Sequence, residues 1–424
     1  MIFRCLGQIY VIVCTRGYHY NKAVIWNKRI YFPFNNRDFT SLWLGQAFSQ
    51  LGDAIFNIAI TWFILSLQNS AEVMAKTMII LHASHLAAFV LSGPLVDRFD
   101  RRKIMLYTDL LRGLLVLILG LYAFNQELKI WNLYLLTLID GILTALFSSA
   151  KIAIVPSIVA KEDFARANAL NISAASICGM MGPAVGGLLI SLPAVGFPGV
   201  SMINSATFLL SALGISLIRP SHRGTTPNEI SEGLWASFAN GFRYVVSDRG
   251  VLRILLYYAL LSFLSTPIFI LLALFAKDVL NVDAMGLGLI DTTWFAGGLL
   301  GASLAGVMGK KYRRGIYVVY LFIAEGIAFI FITVSGHMAA AMAAVFIYGL
   351  VAAMSAILLR SHLQSIVRDQ YRGRFFSFMY LITDWLTPVA MGLTGFAAVT
   401  FVTVTVMMWS WVSFTIVALS GFFI

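Results

Sequence analysis

The chain has 424 residues, of which 59% are hydrophobic and 12% charged, and its mean hydropathy is +0.85. A soluble protein of this size carries about twice that share of charge, so the composition excludes a soluble enzyme and implies a membrane protein of many helices. The net charge of +11 does not point to nucleic acid, because the cations gather in alternate loops, the mark of membrane orientation. The three cysteines, Cys5, Cys14 and Cys178, form no CxxC pair and no Cys/His cluster, so neither a disulfide framework nor a metal site is expected. There is no GxxxxGK[ST] phosphate loop and no nucleophile–base constellation. No cofactor and no enzymatic activity are expected.

In residues 1–36, Arg4, Arg16, Lys22, Lys28 and Arg29 interrupt every apolar run, and Ile9–Val13 is too short to span. Residues 1–37 read as a cytoplasmic tail lying on the membrane surface, or as the product of a start codon assigned too early. A secretory signal does not fit, since no clean apolar region with a small-residue cleavage site is present. From Asp38 onward, apolar segments recur at about 40–67, 73–96, 104–125, 131–158, 166–192 and 198–218. After a loop they resume at 251–276, 284–309, 316–335, 339–365, 370–395 and 399–424. Each is about 20 residues or longer, enough to cross the hydrocarbon core with tilt. The fold class is therefore all-α with twelve transmembrane helices. The chain ends abruptly after the last span, as a truncated C-terminus would.

Between the second and third spans stands Gly93-Pro-Leu-Val-Asp97-Arg98-Phe-Asp100-Arg101-Arg102-Lys103, which packs cations and carboxylates into a very short connection. Gly93 and Pro94 are expected to thin or break the end of the second helix. Asp97 is expected to cap the next helix or to pair with an arginine. Loops on this side of the chain, with the N-terminal segment, hold 24 of the 30 lysines and arginines, so both termini are expected in the cytoplasm.

The second half echoes the first. Ala305-Gly-Val-Met-Gly309-Lys310-Lys311-Tyr-Arg313-Arg314 lies 212 residues after Gly93, with Gly309 where Asp97 stands. Gln364-Ser365-Ile366-Val367 lies 208 residues after Pro156-Ser157-Ile158-Val159. Two landmarks at nearly one offset imply two six-helix, pseudo-symmetric bundles, over 38–219 and 251–424, joined by a cytoplasmic loop at 220–250.

The 93–103 stretch resembles the loop between helices 2 and 3 of major facilitator superfamily carriers, Gly-x-x-x-Asp-Arg-x-x-Arg-Arg, met here by Gly93, Asp97, Arg98, Arg101 and Arg102. Further pieces are Leu44–Asp53, Asp109-Leu-Leu-Arg112, Ala150–Pro156, Ala165–Asn171 and Gly182-Pro183-Ala-Val-Gly186-Gly187. Together they make residues 38–424 resemble drug exporters of the macrolide-efflux and enterobactin-exporter type. Gly182, Pro183, Gly186 and Gly187 are similar to the helix 5 element common in exporters of the superfamily. The resemblance implies substrate held between the halves, alternating access, and a latch between halves at the Asp97/Arg98 loop. One departure is the outer half of the fourth span, Tyr134–Gly141, which lacks the arginine found in many proton-coupled antiporters.

Ionisable groups inside spans are costly and mark function or pairing. Asp53, in a polar stripe with Gln46, Gln50 and Asn57, is the first proton-coupling candidate, followed by Asp140 and Asp384. His82 and His85 are candidate relays. Asp109 and Arg112, three residues apart, are expected to form a structural ion pair. Asp291 and Glu325 are weaker functional candidates. Trp62, Phe63, Met180, Met181, Trp294 and Phe295 are candidates to line an apolar pocket. The expected function is proton-coupled efflux of a drug-like or siderophore-like small molecule across a bacterial inner or plasma membrane by a multi-pass monomer. An importer or flippase for a lipid or metabolite, or a non-transporting sensor on the same fold, is the alternative.

Overall fold

The computed structural model describes residues 33–67, 70–219, 249–308, 315–367 and 369–423, except the side chains of 70, 94, 97, 249, 251, 369–374, 377 and 381. The tail over 1–32, the central loop over 220–248 and the basic echo at 309–314 fall outside the described residues.

Every described element is helical. The first half holds α1 (Arg37–Ser66), α2 (Ser70–Arg98), α3 (Arg101–Phe124), α4 (Ile130–Ile158), α5 (Phe164–Ser191) and α6 (Gly196–Ser216). The second holds α7 (Arg249–Ser265), α8 (Ile268–Asp278), α9 (Ala284–Val307), α10 (Gly315–Thr333), α11 (Met338–Ile366), α12 (Asp369–Thr400) and α13 (Thr403–Ser420). Among the described residues, twelve spans are long and apolar enough to cross a membrane, with α7 and α8 together making the seventh. The single helix expected over 251–276 is thus broken at Thr266 and Pro267. Pro267 has no N–H to continue the ladder, and the chain restarts with Leu271 N–H donating to the Pro267 carbonyl at 2.9 Å. Helix α12 also runs past the expected end near 395 to Thr400, because no glycine–proline pair or charge interrupts Phe396–Thr400.

Side-chain caps start α1 and α9. Asn36 accepts from Phe39 N–H at 3.0 Å, and Asp283 accepts from Gly286 N–H at 2.8 Å. At the 93–103 stretch the outcome differs from expectation. Helix α2 runs through Gly93 and Pro94 to Arg98, and the cap of α3 is Asp100, which accepts from Arg102 N–H at 2.9 Å. The Asp97 side chain lies outside the described residues.

Each half repeats one set of helix pairings. In the first, α1 packs on α5 and α6, α3 on α6 and α4, and α2 on α4. In the second, α7 packs on α12 and α13, α10 on α13 and α11, and α9 on α11. The halves meet chiefly through α5 against α9 and α2 against α12, which a two-fold axis along the bundle would exchange. The core of the second half is aromatic: Phe329 stacks on Trp411 at 3.8 Å, with Tyr348 edge-on to both. Large apolar side chains such as Leu91, Trp131 and Phe396 are mostly exposed, as a lipid-facing belt requires.

Call the end carrying residues 93–103 the near end and the end joining α1 to α2 the far end. The far end is where the halves seal. Ideal methyls placed at three glycines show how closely: at Gly187 one would meet the Ala284 carbonyl at 2.5 Å. At Gly288 it would meet the Pro183 carbonyl at 2.2 Å, and at Gly395 the Ala75 Cβ at 2.0 Å. Lys277, at the end of α8, donates to the Leu65 carbonyl at the end of α1. At the near end, Arg101 donates to the Ala153 carbonyl at 2.9 Å. Arg102 donates to the carbonyls of Ile215, at 3.1 Å, and Ser216. These last contacts stay inside the first half and satisfy carbonyls toward the C-terminal ends of α4 and α6.

Candidate functional site

A cavity of about 620 Å³ lies between α1, α2, α3, α4 and α6 of the first half and α12 of the second. It runs from mid-depth toward the sealed far end. Most of its wall is apolar, including Phe56, Ile60, Met78, Leu81, Leu119 and Phe208. That combination of an apolar wall with a few converging polar groups is the usual character of a small-molecule site. The aromatic and methionine candidates named above line none of it. Phe63 instead stacks on Phe197 at 4.5 Å, and Trp294 packs with Phe269, Phe295 and Tyr348. Met181 and Phe295 are instead about half exposed.

The polar groups converge on one arginine. Arg112 of α3 donates from Nε to Asp140 Oδ1 of α4 at 2.8 Å, and its Nη2 lies 3.6 Å from Asp53 Oδ2 of α1. Its guanidinium also covers the Phe208 ring at 4.4 Å from the centroid. Asn204 of α6 reaches Asp53 at 3.5 Å, and Thr207 donates to Asn204 at 3.1 Å. The close approach of α1 to α6 that allows this depends on Gly52, where a Cβ would collide with Thr207 and Asn204. The Arg112 side chain is 11% exposed, against 32% for Asp53 and 27% for Asp140. The arginine is therefore sunk in the wall while both carboxylates keep an edge on the cavity.

Asp384 and Thr387 of α12 face the same space from the second half, and His82 and His85 of α2 face it from the first. Asp384 lies within electrostatic range of both histidines. Formally, the cavity sets three carboxylates against one guanidinium. Its local field is negative unless the histidines are charged.

All three proton-coupling candidates thus share one cavity. The expected Asp109–Arg112 ion pair does not form. The side chains of α3 diverge, and Arg112 turns to the two carboxylates of α1 and α4 while Asp109 is fully buried beside Ser211 of α6. Nor does the arginine-free fourth span leave the site without a cation, since α3 supplies it. The signal was present in the sequence as an arginine in mid-span with Asp53 and Asp140 at similar depth. Asn204 and Phe208 had no such signal. Of the polar stripe on α1, Asn57 lines the cavity, whereas Gln46 is buried against Ser211 and Lys151. Glu325 is buried apart from the cavity and accepts from Ser355, and Asp291 is not among the cavity's lining residues.

The Gly182–Gly187 element has a divided role. Methyls at Gly182 and Gly186 would strike Ala54 and Ile55 of α1, while Gly187 faces Ala284 of α9 across the junction of the halves. Pro183 lies inside α5 and is buried.

The model of a family described as transmembrane secretion effector matches residues 29–421. Macrolide efflux protein A of Streptococcus pyogenes is 25% identical over 365 residues, covering 85% of this chain and 89% of that protein. Enterobactin exporter EntS of Escherichia coli O1:K1 is 24% identical over 340 residues, covering 79% of each. Among solved structures, a bacterial homologue of the iron transporter ferroportin, in an inward-facing state, superposes with a TM-score of 0.70 at 15% identity. That match covers 91% of this chain and 98% of the other. An inward-facing bacterial homologue of the lysosomal transporter Spinster gives 0.70 at 16% identity, covering 92% and 97%.

Proposed function

The chain belongs to the transmembrane secretion effector family of the major facilitator superfamily, and on that footing we propose that it is a proton-coupled exporter of a weakly basic, largely apolar small molecule. It is a multi-pass membrane transporter of the efflux type. In this reading the near end faces the cytoplasm, both termini lie there, and a single chain completes the cycle by alternating access.

The observation that carries the proposal is the bridge of Arg112 between Asp53 and Asp140 on the wall of an apolar cavity shared by both halves. A guanidinium holding two carboxylates occupies the place that a substrate cation or protons would take. A cation entering the cavity displaces Arg112 from one carboxylate. Protons arriving from the other side neutralise the carboxylates and release the cation. Asp384 extends the negative field across to the second half, facing His82 and His85 of the first, so the same exchange is felt by both halves. The apolar lining suits a macrolide-like amine better than a polyanionic siderophore. The 93–103 stretch would latch the halves in the opposite state, in which the near end closes.

The test is accumulation of erythromycin in an efflux-deficient bacterial host expressing the protein, with and without a protonophore, beside the variant Asp53→Asn. Lowered accumulation, abolished by the protonophore and by the substitution at unchanged membrane yield, is expected. Export that persists in Asp53→Asn removes that carboxylate from the mechanism. Protonophore-insensitive export removes the coupling.

A further inference from the structure

Below the Arg112 bridge, toward the near end, lies a second polar group that the scheme above does not use. Asp109 of α3 has no exposed surface, and neither carboxyl oxygen meets a donor at hydrogen-bonding geometry. Its neighbours are otherwise engaged. Lys151 of α4 donates to Gln46 of α1 at 3.1 Å, and Gln46 donates to Ser211 of α6 at 2.9 Å. Ser211 lies beside the Asp109 carboxyl, and the charged groups acting on it are Arg112, Asp53 and Lys151. A polar chain therefore runs through α4, α1, α6 and α3 and stops at a carboxyl whose one neighbouring hydroxyl, Ser211, lies outside hydrogen-bonding geometry.

An ionised carboxylate buried without a donor is among the costliest arrangements a side chain can adopt. Arg112, three residues on and about one helical turn away, is the cation that could satisfy it, but here it is held by Asp53 and Asp140. We propose that Asp109 is a second proton-carrying residue of the transport cycle, holding a proton while the far end is sealed and releasing it when Arg112 turns to it. The exchange balances. When a substrate cation entering from the near end takes Asp53 and Asp140, the guanidinium swings one turn down α3, its N–H groups take the carboxylate, and the Asp109 proton leaves to water at the near end. Return of Arg112 to Asp140 obliges Asp109 to take a proton again. This inference rests on the proton-coupled reading above and adds a second titrating site to it.

The experiment uses the purified full chain and infrared spectroscopy between pH 5 and 9, with Asp109→Asn as the assignment control. Expected is a carbonyl-stretch band of a protonated carboxylic acid that Asp109→Asn removes. A spectrum unchanged by the substitution overturns the proposal. Should Asp109→Asn not accumulate, Asp109→Glu serves the same purpose: the band must shift, and an unshifted band overturns the assignment. In proteoliposomes with erythromycin as the probe, Asp109→Asn should keep counterflow within about twofold of wild type. It should lose proton-driven accumulation at least tenfold. A merely structural residue would lower both together. Wild-type transport that ignores the proton gradient would defeat the coupled reading instead, and the infrared band would still report on Asp109.

Discussion

The junction between the halves where backbone meets backbone yields the sharpest prediction. Gly288→Ala would place a methyl 2.2 Å from the Pro183 carbonyl oxygen and 3.0 Å from its carbon. An ordinary contact needs more than 3 Å, and the opposing atoms are backbone, so α9 and α5 must part by roughly 1 Å. Overpacking of that kind costs about 1–3 kcal/mol. Because Gly288 and Pro183 belong to different halves, the cost falls on the state sealed at the far end and leaves each half intact. At about 2 kcal/mol the equilibrium between states shifts roughly 30-fold away from that state. The assay is a distance distribution between spin labels at Ser66 and Asn281, both exposed at the far end, in a background without reactive cysteines. Gly288→Ala should enlarge the long-distance population and slow transport. Gly301→Ala is the control. Its methyl would lie 2.0 Å from the Leu350 carbonyl within the second half, so it should lower yield and melting temperature without changing the distribution. An unchanged distribution in Gly288→Ala, or an equal shift in Gly301→Ala, refutes the reasoning.

Other outcomes follow from the same contacts. Arg112→Met strands Asp53 and Asp140 and should destabilise by about 1–3 kcal/mol, less than for a wholly buried pair because both carboxylates reach the cavity. Adding Asp140→Asn should recover part of the lost melting temperature, since Asp53 stays without its cation, but not transport. Lys277→Met removes the donor to the Leu65 carbonyl and should shift the Ser66–Asn281 distances in the direction of Gly288→Ala, by a smaller amount. Ser355→Ala leaves the buried Glu325 carboxyl without its donor and should cost about 1–3 kcal/mol in thermal unfolding. A melting temperature within error of wild type would mean that Glu325 finds another partner.

The membrane class, the twelve spans and the doubled bundle were legible in the primary structure, because the bilayer imposes a length and an apolar composition that no tertiary contact overrides. So were Asp53, Asp140 and Asp384, since a carboxylate in a span is conspicuous wherever it points. Partnership was not legible. Helical spacing put Asp109 next to Arg112, yet spacing along one helix says nothing of what the neighbouring helices offer. The packing of α1 and α4 against α3 gave Arg112 two carboxylates and left Asp109 with none. The break at Thr266 and Pro267, and the split of the Gly182–Gly187 element between α1 and α9, likewise depend on which helices come into contact. Hydropathy is a property of each segment alone, and it decided the architecture. Charge pairing and close approach are properties of two segments at once, and only the assembled bundle decided them.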